Sequence, residues 1–299
     1  MTQDTKTRFG FVALLGAPNA GKSTLLNQLL GEKLSIVTRK AQTTRIRVLG
    51  LLTEENVQMG LLDTPGLFKP KTRLEKTMVQ SAWESLEGAD AVLLLVDVSV
   101  RQPDVKSQDI VEALAQRGQK ATLVLNKVDK IKAEKLLPLA ENLQASGLFD
   151  RIFMISALTG DGVDDLKKHL LEAMPEGPWA YPEDQLTDLS ERLLAAEITR
   201  EQLLLQLHDE LPYGATVFPE NWETRQDGSV MVRQMILVAH VRHRAMVLGK
   251  KGSRIKEIGV AARAEMAAQF GHPVHLFLDV KVDEKWQEKQ EYYRLFGLS

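Results

Sequence analysis

The stretch GAPNAGKS, Gly16 to Ser23, constrains this chain more than any other, because it follows an apolar run and opens a helical one. Its spacing is G-x-x-x-x-G-K-[ST], and strand before with helix after is the context that turns the pattern into a phosphate-binding loop. Backbone N–H groups at the helix N-terminus face an anion, a lysine reaches the outer phosphates and a hydroxyl binds magnesium. Gly16, Asn19, Ala20, Gly21, Lys22, Ser23 and Thr24 are therefore candidate nucleotide-binding residues, with Lys22 at the β- and γ-phosphates and Ser23 on the metal.

The residues around this loop repeat a strand–helix rhythm. Apolar runs suited to buried parallel strands stand at Phe11–Leu15, Leu61–Leu62, Ala91–Val96, Ala121–Leu125 and Ile152–Ile155, with helical periodicity in STLLNQLLG and VDDLKKHLLEAM. That alternation predicts an α/β, doubly wound, mostly parallel sheet. In LLDTPG, Asp63 at a strand end is the metal-side carboxylate, and Gly66 offers its N–H to a γ-phosphate and releases it on hydrolysis, which makes the segment a switch. Leu67, the next residue, is apolar and cannot orient a water for attack on the γ-phosphate, so slow intrinsic hydrolysis is expected.

Base identity is read from LVLNKVD, where Asn126, Lys127 and Asp129 follow a buried strand. A carboxylate at Asp129 accepts from N1–H and the 2-amino group of guanine, whereas adenine offers neither donor and leaves the charge unpaired. In ISAL, Ser156 and Ala157 sit where a further strand delivers a backbone N–H to guanine O6.

The chain's 299 residues suggest about two domains. The proline-bearing MPEGPWAYPED breaks the rhythm, so residues 175–186 are expected to link a domain over 1–174 to one over 187–299. The second half reads as a helix near Asp188–Glu210, strand-like runs near Tyr213–Trp222 and Val230–Val241, helices flanking GKKG, and a strand at Val274–Val282.

In GKKG, Gly249 to Gly252, two glycines enclose Lys250 and Lys251. A helix C-cap accounts for the glycines; a loop lying close against a phosphate chain accounts for glycines and lysines together. The net charge is +1 over residues 1–180 and −3 thereafter, yet Arg242, Arg244, Lys250, Lys251, Arg254 and Lys256 run without an acidic residue among them. Any nucleic-acid surface is local. Cysteine is absent, which excludes disulfides, thiol catalysis and cysteine zinc sites and fits a cytoplasmic setting. The N-terminus has no apolar leader core and no run is long enough to span a bilayer, so neither export nor membrane insertion is expected.

With QTTR at Gln42–Arg45 added to these motifs, the sequence resembles translation-factor-related GTPases and, over essentially its whole length, the Era family. The resemblance implies a P-loop GTPase domain followed by a smaller α+β type II KH domain with a C-terminal helix, whose GKKG loop clamps single-stranded RNA; Arg254 is a candidate for the same RNA backbone, with a solvated helix residue as the other reading. It implies GTP or GDP with Mg²⁺ as ligands, a switch threonine on magnesium at Thr44 or its neighbour Thr43, and the 3′ end of 16S rRNA in the small ribosomal subunit as partner. It also implies a cytoplasmic assembly factor with some peripheral association at the inner face of the membrane. Asn19 stands where several related GTPases place a K⁺ ligand; a loop-stabilising side-chain hydrogen bond is the other reading. Val247, Leu248, Ile255 and Ile258 are candidates for the groove that takes bases, with about half expected to be core.

Overall fold

Continuous apolar runs, rather than alternating ones, suit strands covered on both faces. The computed structural model describes residues 6–38, 40, 43–207, 214–289 and 292, and the chain divides into two compact units. The first comprises Met1–Ser35, Thr44–Lys71 and Glu75–Asp188; the second comprises Leu189–Ser299 with Ile36–Thr43 and Thr72–Leu74.

In the first unit, β1 (Arg8–Gly16), β2 (Val48–Glu54), β3 (Val57–Asp63), β4 (Ala91–Asp97), β5 (Ala121–Asn126) and β6 (Phe149–Ile155) form one sheet in the order β2-β3-β1-β4-β5-β6. Every neighbouring pair is parallel except β2 with β3. Helices α1 (Lys22–Leu30), α2 (Arg73–Glu84), α3 (Pro103–Gln116), α4 (Leu136–Gln144) and α5 (Val163–Ala173) accompany it. Val12 to Leu15 are wholly buried at its centre. From β1 the chain reaches β3 on one side and β4 on the other, so the C-terminal end of β1 is a topological switch point, where open α/β sheets bind ligands.

Two features depart from expectation. Strand β2 was not anticipated, because Gly50 interrupts its apolar pattern; a Cβ there would lie 2.7 Å from Leu30 Cδ1 and 2.8 Å from Leu26 Cδ1, so the glycine lets α1 pack against the strand. Glu55 and Asn56 close the β2–β3 hairpin, with Glu55 left-handed at φ 51°. Residues 175–186, expected as a linker, instead run along the first unit. Pro175 O accepts from Phe9 N (3.1 Å), Leu186 O from Leu51 N (2.8 Å) and Tyr181 O from Gln58 Nε2 (3.0 Å). Proline denies this stretch regular structure but not partners, since its carbonyls still accept.

The second unit runs α6 (Glu191–Gln206), β7 (Ala215–Thr224), β8 (Val230–Val238), α7 (Val241–Leu248), α8 (Ser253–Phe270) and β9 (Val274–Val282). The strands form a sheet β7-β8-β9, antiparallel then parallel. This is the α, β, β, α, α, β order that the sequence pattern predicts. Ser190 caps α6 by accepting from Leu193 N, which starts the helix later than expected. Ala196, Leu203, Val217, Ile236, Val238, Val247 and Ile258 make the core. Trp286 is wholly buried, with Nε1 donating to Gly214 O at 3.3 Å, so it packs rather than stacks on bases. The expected C-terminal helix, Tyr293, Tyr213 and Gln42 lie outside the described residues.

Helix α6 also buries three charged residues, Glu197, Arg200 and Glu201. Arg200 pairs with Glu197 (Nε to Oε1, 2.8 Å) and donates to Thr43 O, while Glu201 Oε1 accepts from Val37 N at 2.8 Å. Buried charge persists when it is paired and hydrogen-bonded, and here the partners come from Ile36–Thr43.

Candidate nucleotide and RNA sites

Gly16 ends β1 and Lys22 begins α1, so the phosphate loop spans the switch point with the first N–H groups of a helix aimed into it. The helix starts on a left-handed Gly21 (φ 99°, ψ 20°) without a side-chain cap, which leaves those donors for an anion. Asn19 is also left-handed, at φ 64°. Lys22 is buried, with Nζ 3.2 Å from Gly16 O and 3.3 Å from Ala17 O, folded back onto its own loop. Burial lowers its pKa to about 8, against the opposing pull of Asp63. Phosphate charge beside it favours the ammonium and reverses that shift.

Around the metal-side position three hydroxyls converge on one carboxylate. Ser23 Oγ donates to Asp63 Oδ2 at 2.6 Å, Ser35 Oγ at 3.0 Å and Thr44 Oγ1 at 3.5 Å, and Ser23 and Thr44 are 2.8 Å apart. Thr43 is turned away: its Oγ1 donates to Lys40 O at 2.7 Å and lies 2.6 Å from Thr38 Oγ1. Of the two threonines left open by the sequence, Thr44 is the one brought to Ser23 and Asp63.

Asp63 Oδ1 is buried and meets no hydrogen-bond donor. Burial raises the Asp63 pKa, with Lys22 and the three hydroxyls pulling it down. A buried carboxylate oxygen facing hydroxyls is a hard-oxygen environment that suits Mg²⁺ with its retained waters. Among the described residues no group of three His, Cys, Asp or Glu could hold a metal.

Sequence reasoning missed the residues that support this cluster. Asn27, on α1, accepts from Leu34 N (3.0 Å) and Ser35 N (2.9 Å) and donates to Ser35 O (2.8 Å), which sets Ser35 beside Asp63. Thr64, inside DTPG, donates to Leu14 O at 2.8 Å and pins that turn to β1. Gly66 lies so close to the phosphate loop that a Cβ would be 2.7 Å from Pro18 N. Leu67 is buried with its N donating to Gly16 O at 3.0 Å, so its side chain serves the core.

The base loop is braced by Asn126. Its Nδ2 donates to Ala20 O (2.8 Å), and its Oδ1 accepts from Lys127 N (2.8 Å) and Ala157 N (2.9 Å). The Ala157 N–H meets Asn126 and the Ser156 N–H meets Asp161 O (2.9 Å), so both residues tie the ISAL segment to the base loop beside the position expected for guanine O6. Asp129, in a single 3-10 turn at Val128–Lys130, is exposed and available to a base.

In the second unit GKKG breaks the helical run between α7 and α8. Gly249 (φ 72°, ψ 178°) occupies a region open only to glycine, while Lys251 (φ 52°) and Gly252 (φ 77°) are left-handed. Lys250 and Lys251 are exposed, and Arg254 is half-buried with its Cβ against Gly249. The groove candidates divide two and two: Val247 and Ile258 are wholly buried, Leu248 and Ile255 partly exposed. Beside them β9 is an edge strand with Leu278 and Val280 half-exposed, and Arg244 Nε donates to Val280 O at 3.3 Å.

A phosphate loop at the switch point, a hydroxyl–carboxylate metal cluster and an Asn-Lys-x-Asp base loop define a P-loop GTPase, and the second unit adds a KH fold. The model of the 50S ribosome-binding GTPases matches residues 11–127, and that of the KH domain matches residues 210–287. GTPase Era of Erythrobacter litoralis is 54% identical over 98% of this chain and 97% of its own, and that of Brucella suis 51% over 99% and 95%. This chain belongs to the Era GTPase family. Among solved structures, Era in complex with MgGDPNP and nucleotides 1506–1542 of 16S ribosomal RNA is 40% identical, covers 98% of this chain and 99% of its own, and superposes with a TM-score of 0.92. Aquifex aeolicus Era bound to GDP·AlF4⁻ is also 40% identical, over 98% and 100%, with a TM-score of 0.90.

Proposed function

We propose that this protein hydrolyses GTP slowly and uses the bound nucleotide to gate the binding of its KH domain to the 3′ end of 16S rRNA during assembly of the small ribosomal subunit. The observation that carries the nucleotide half is the convergence of Ser23, Thr44 and Asp63 beside Lys22, with Asp63 Oδ1 buried and undonated. Lys22 neutralises the outer phosphates, Asn126 holds the base loop against the phosphate loop, and Asp129 selects guanine. Ser23, Thr44 and Asp63 would hold magnesium, which would supply charge to the transferring phosphoryl group. Leu67 cannot orient a water, which leaves that task to switch backbone groups such as those of Gly66 and Thr44, to a bound monovalent cation or to a partner, and intrinsic turnover is slow.

Thr44 is where the gating begins. The residues just before it, Ile36–Thr43, cluster with the second unit, where Arg200 and Glu201 hold Thr43 O and Val37 N. A ligand that draws Thr44 toward its phosphate therefore acts on a segment whose other partners belong to the RNA-binding unit, and linkage makes the effect on binding reciprocal. The RNA half rests on the GKKG conformation, its exposed lysines and the likeness to an Era bound to the 16S segment. Affinity for a single strand copying that 3′ end should be at least about tenfold tighter with a non-hydrolysable GTP analogue than with GDP, at fixed salt, and tighter than for a scrambled strand. Equal, weak binding in every state refutes the reading.

Potassium would enter through Asn19, which is left-handed at φ 64° within the phosphate loop. We expect single-turnover hydrolysis to be faster in K⁺ than in Na⁺; equal rates would leave Asn19 as a loop residue. A ribosomal RNA partner supports a cytoplasmic setting. Among the described residues no helix is long and apolar enough to cross a membrane, so contact with the inner membrane face would be peripheral.

A further inference from the structure

We propose that Asp97 is a positioning residue for guanine-nucleotide binding: it anchors the Lys127 ammonium so that the lysine ties the base loop to the phosphate loop. The inference rests on the guanine-nucleotide reading of this site. Strands β4 and β5 are parallel neighbours and Asp97 pairs in register with Asn126, so the carboxylate stands at the ligand-facing end of the sheet, beside the base loop. Its Oδ1 accepts from Ser99 N (2.9 Å) and Ser99 Oγ (2.5 Å), which fixes the carboxylate and leaves Oδ2 for Lys127 Nζ at 2.5 Å. The same ammonium donates to Asn19 O in the phosphate loop at 2.7 Å.

This is no loose surface pair, since the two side chains are only 24% and 14% exposed. Lys127 (φ 72°) and Asn19 (φ 64°) both occupy the left-handed region, where a residue other than glycine is strained by about 1 kcal/mol and stays only when its surroundings hold it there. The ammonium bridge supplies that hold from two sides, a carboxylate on β4 and a carbonyl in the loop. Stretched between them, the four-carbon stem of Lys127 offers an apolar ledge at the base site. Lys127 was legible as a base-loop residue; Asp97 was not, because it lies 30 residues away and resembles any strand-end aspartate. The ion pair and the Ser99 hydrogen bonds also hold the Asp97 pKa below the usual carboxylate range, against the effect of its burial.

Asp97 touches neither the γ-phosphate nor the metal cluster, so its loss should weaken GDP and GTP alike. Asp97→Asn keeps the shape and one acceptor for Ser99 but removes the charge. Dissociation constants for fluorescent GDP and a GTP analogue are measured for wild type, Asp97→Asn, Lys127→Met and the double variant. We expect Asp97→Asn to raise both constants by about tenfold, the scale of one charge-assisted hydrogen bond. In the Lys127→Met background it should change them by less than about twofold, because the group through which Asp97 acts is gone. If Asp97→Asn fails to fold, Ser99→Ala, which only loosens the carboxylate, is read in the same cycle with an expected weakening of about threefold. An unchanged affinity in Asp97→Asn, or effects of the two substitutions that multiply in full, overturns the proposal. If Lys127→Met alone leaves guanine affinity unchanged, the base-loop reading itself fails and Asp97 falls with it.

Discussion

Gly21→Ala is expected to weaken guanine-nucleotide binding by about a hundredfold or more, the largest effect of any single methyl group in the first unit. Gly21 is left-handed at φ 99°, and a Cβ there would lie 2.1 Å from Asn126 Nδ2. Asn126 cannot give way cheaply: its amide bonds Ala20 O, Lys127 N and Ala157 N, so moving it disturbs the phosphate loop, the base loop and the β6–α5 connection together. Left-handed strain of about 1–2 kcal/mol and the loss of one or two buried hydrogen bonds at about 1–3 kcal/mol each sum to about 2–8 kcal/mol, most of which lies above the roughly 2.7 kcal/mol that a hundredfold represents. Gly31→Ala is the control. It is also left-handed (φ 72°) but has nothing within 4 Å, so it should cost about 1 kcal/mol of stability and leave nucleotide affinity within about threefold of wild type. Titration with fluorescent GDP decides the matter, and a Gly21→Ala protein that binds within threefold of wild type would show that Asn126 is not the brace described above.

Gly249→Ala should lower affinity for the 16S 3′ strand by about thirtyfold or more while leaving GDP affinity unchanged. The backbone at φ 72°, ψ 178° excludes a side chain by itself, and the new Cβ would lie 2.7 Å from Arg254 Cβ and 2.8 Å from Arg254 N. The loop would have to move away from the first turn of α8, taking Lys250 and Lys251 with it. Gly252→Ala meets nothing within 4 Å, and its φ of 77° lies in ordinary left-handed space, so a loss of only about fivefold is expected. The motif makes the two glycines look equivalent; their surroundings do not. Equal losses at the two positions, measured at one salt concentration, would mean that strain alone governs this loop and that contact with Arg254 is irrelevant.

The nucleotide site was legible because its chemistry is local. GAPNAGKS, DTPG and NKVD each place a needed atom within a few residues of a strand end, and five buried strands announced themselves by unbroken apolar runs. The second unit's element order was legible for the same reason. Strand β2 was hidden by Gly50, whose purpose is the close approach of Leu26 and Leu30 from a different element. The charged face of α6 reads as a solvated stripe, yet Glu197, Arg200 and Glu201 are buried, since Glu197 pairs with Arg200 and the further partners of Arg200 and Glu201 lie more than 150 residues earlier in the chain.

From residue order alone came the identity of the nucleotide, the phosphate and base loops, the GKKG motif and the family, because glycine conformations and loop carboxylates act over a few neighbouring residues. Tertiary structure decided which threonine joins Ser23 and Asp63, that Ala157 braces Asn126, that residues 175–186 pack on the first unit, and that Asp97 meets Lys127. Those outcomes depend on which strands become neighbours, and that is settled by packing between residues far apart in sequence, where no short pattern carries the information.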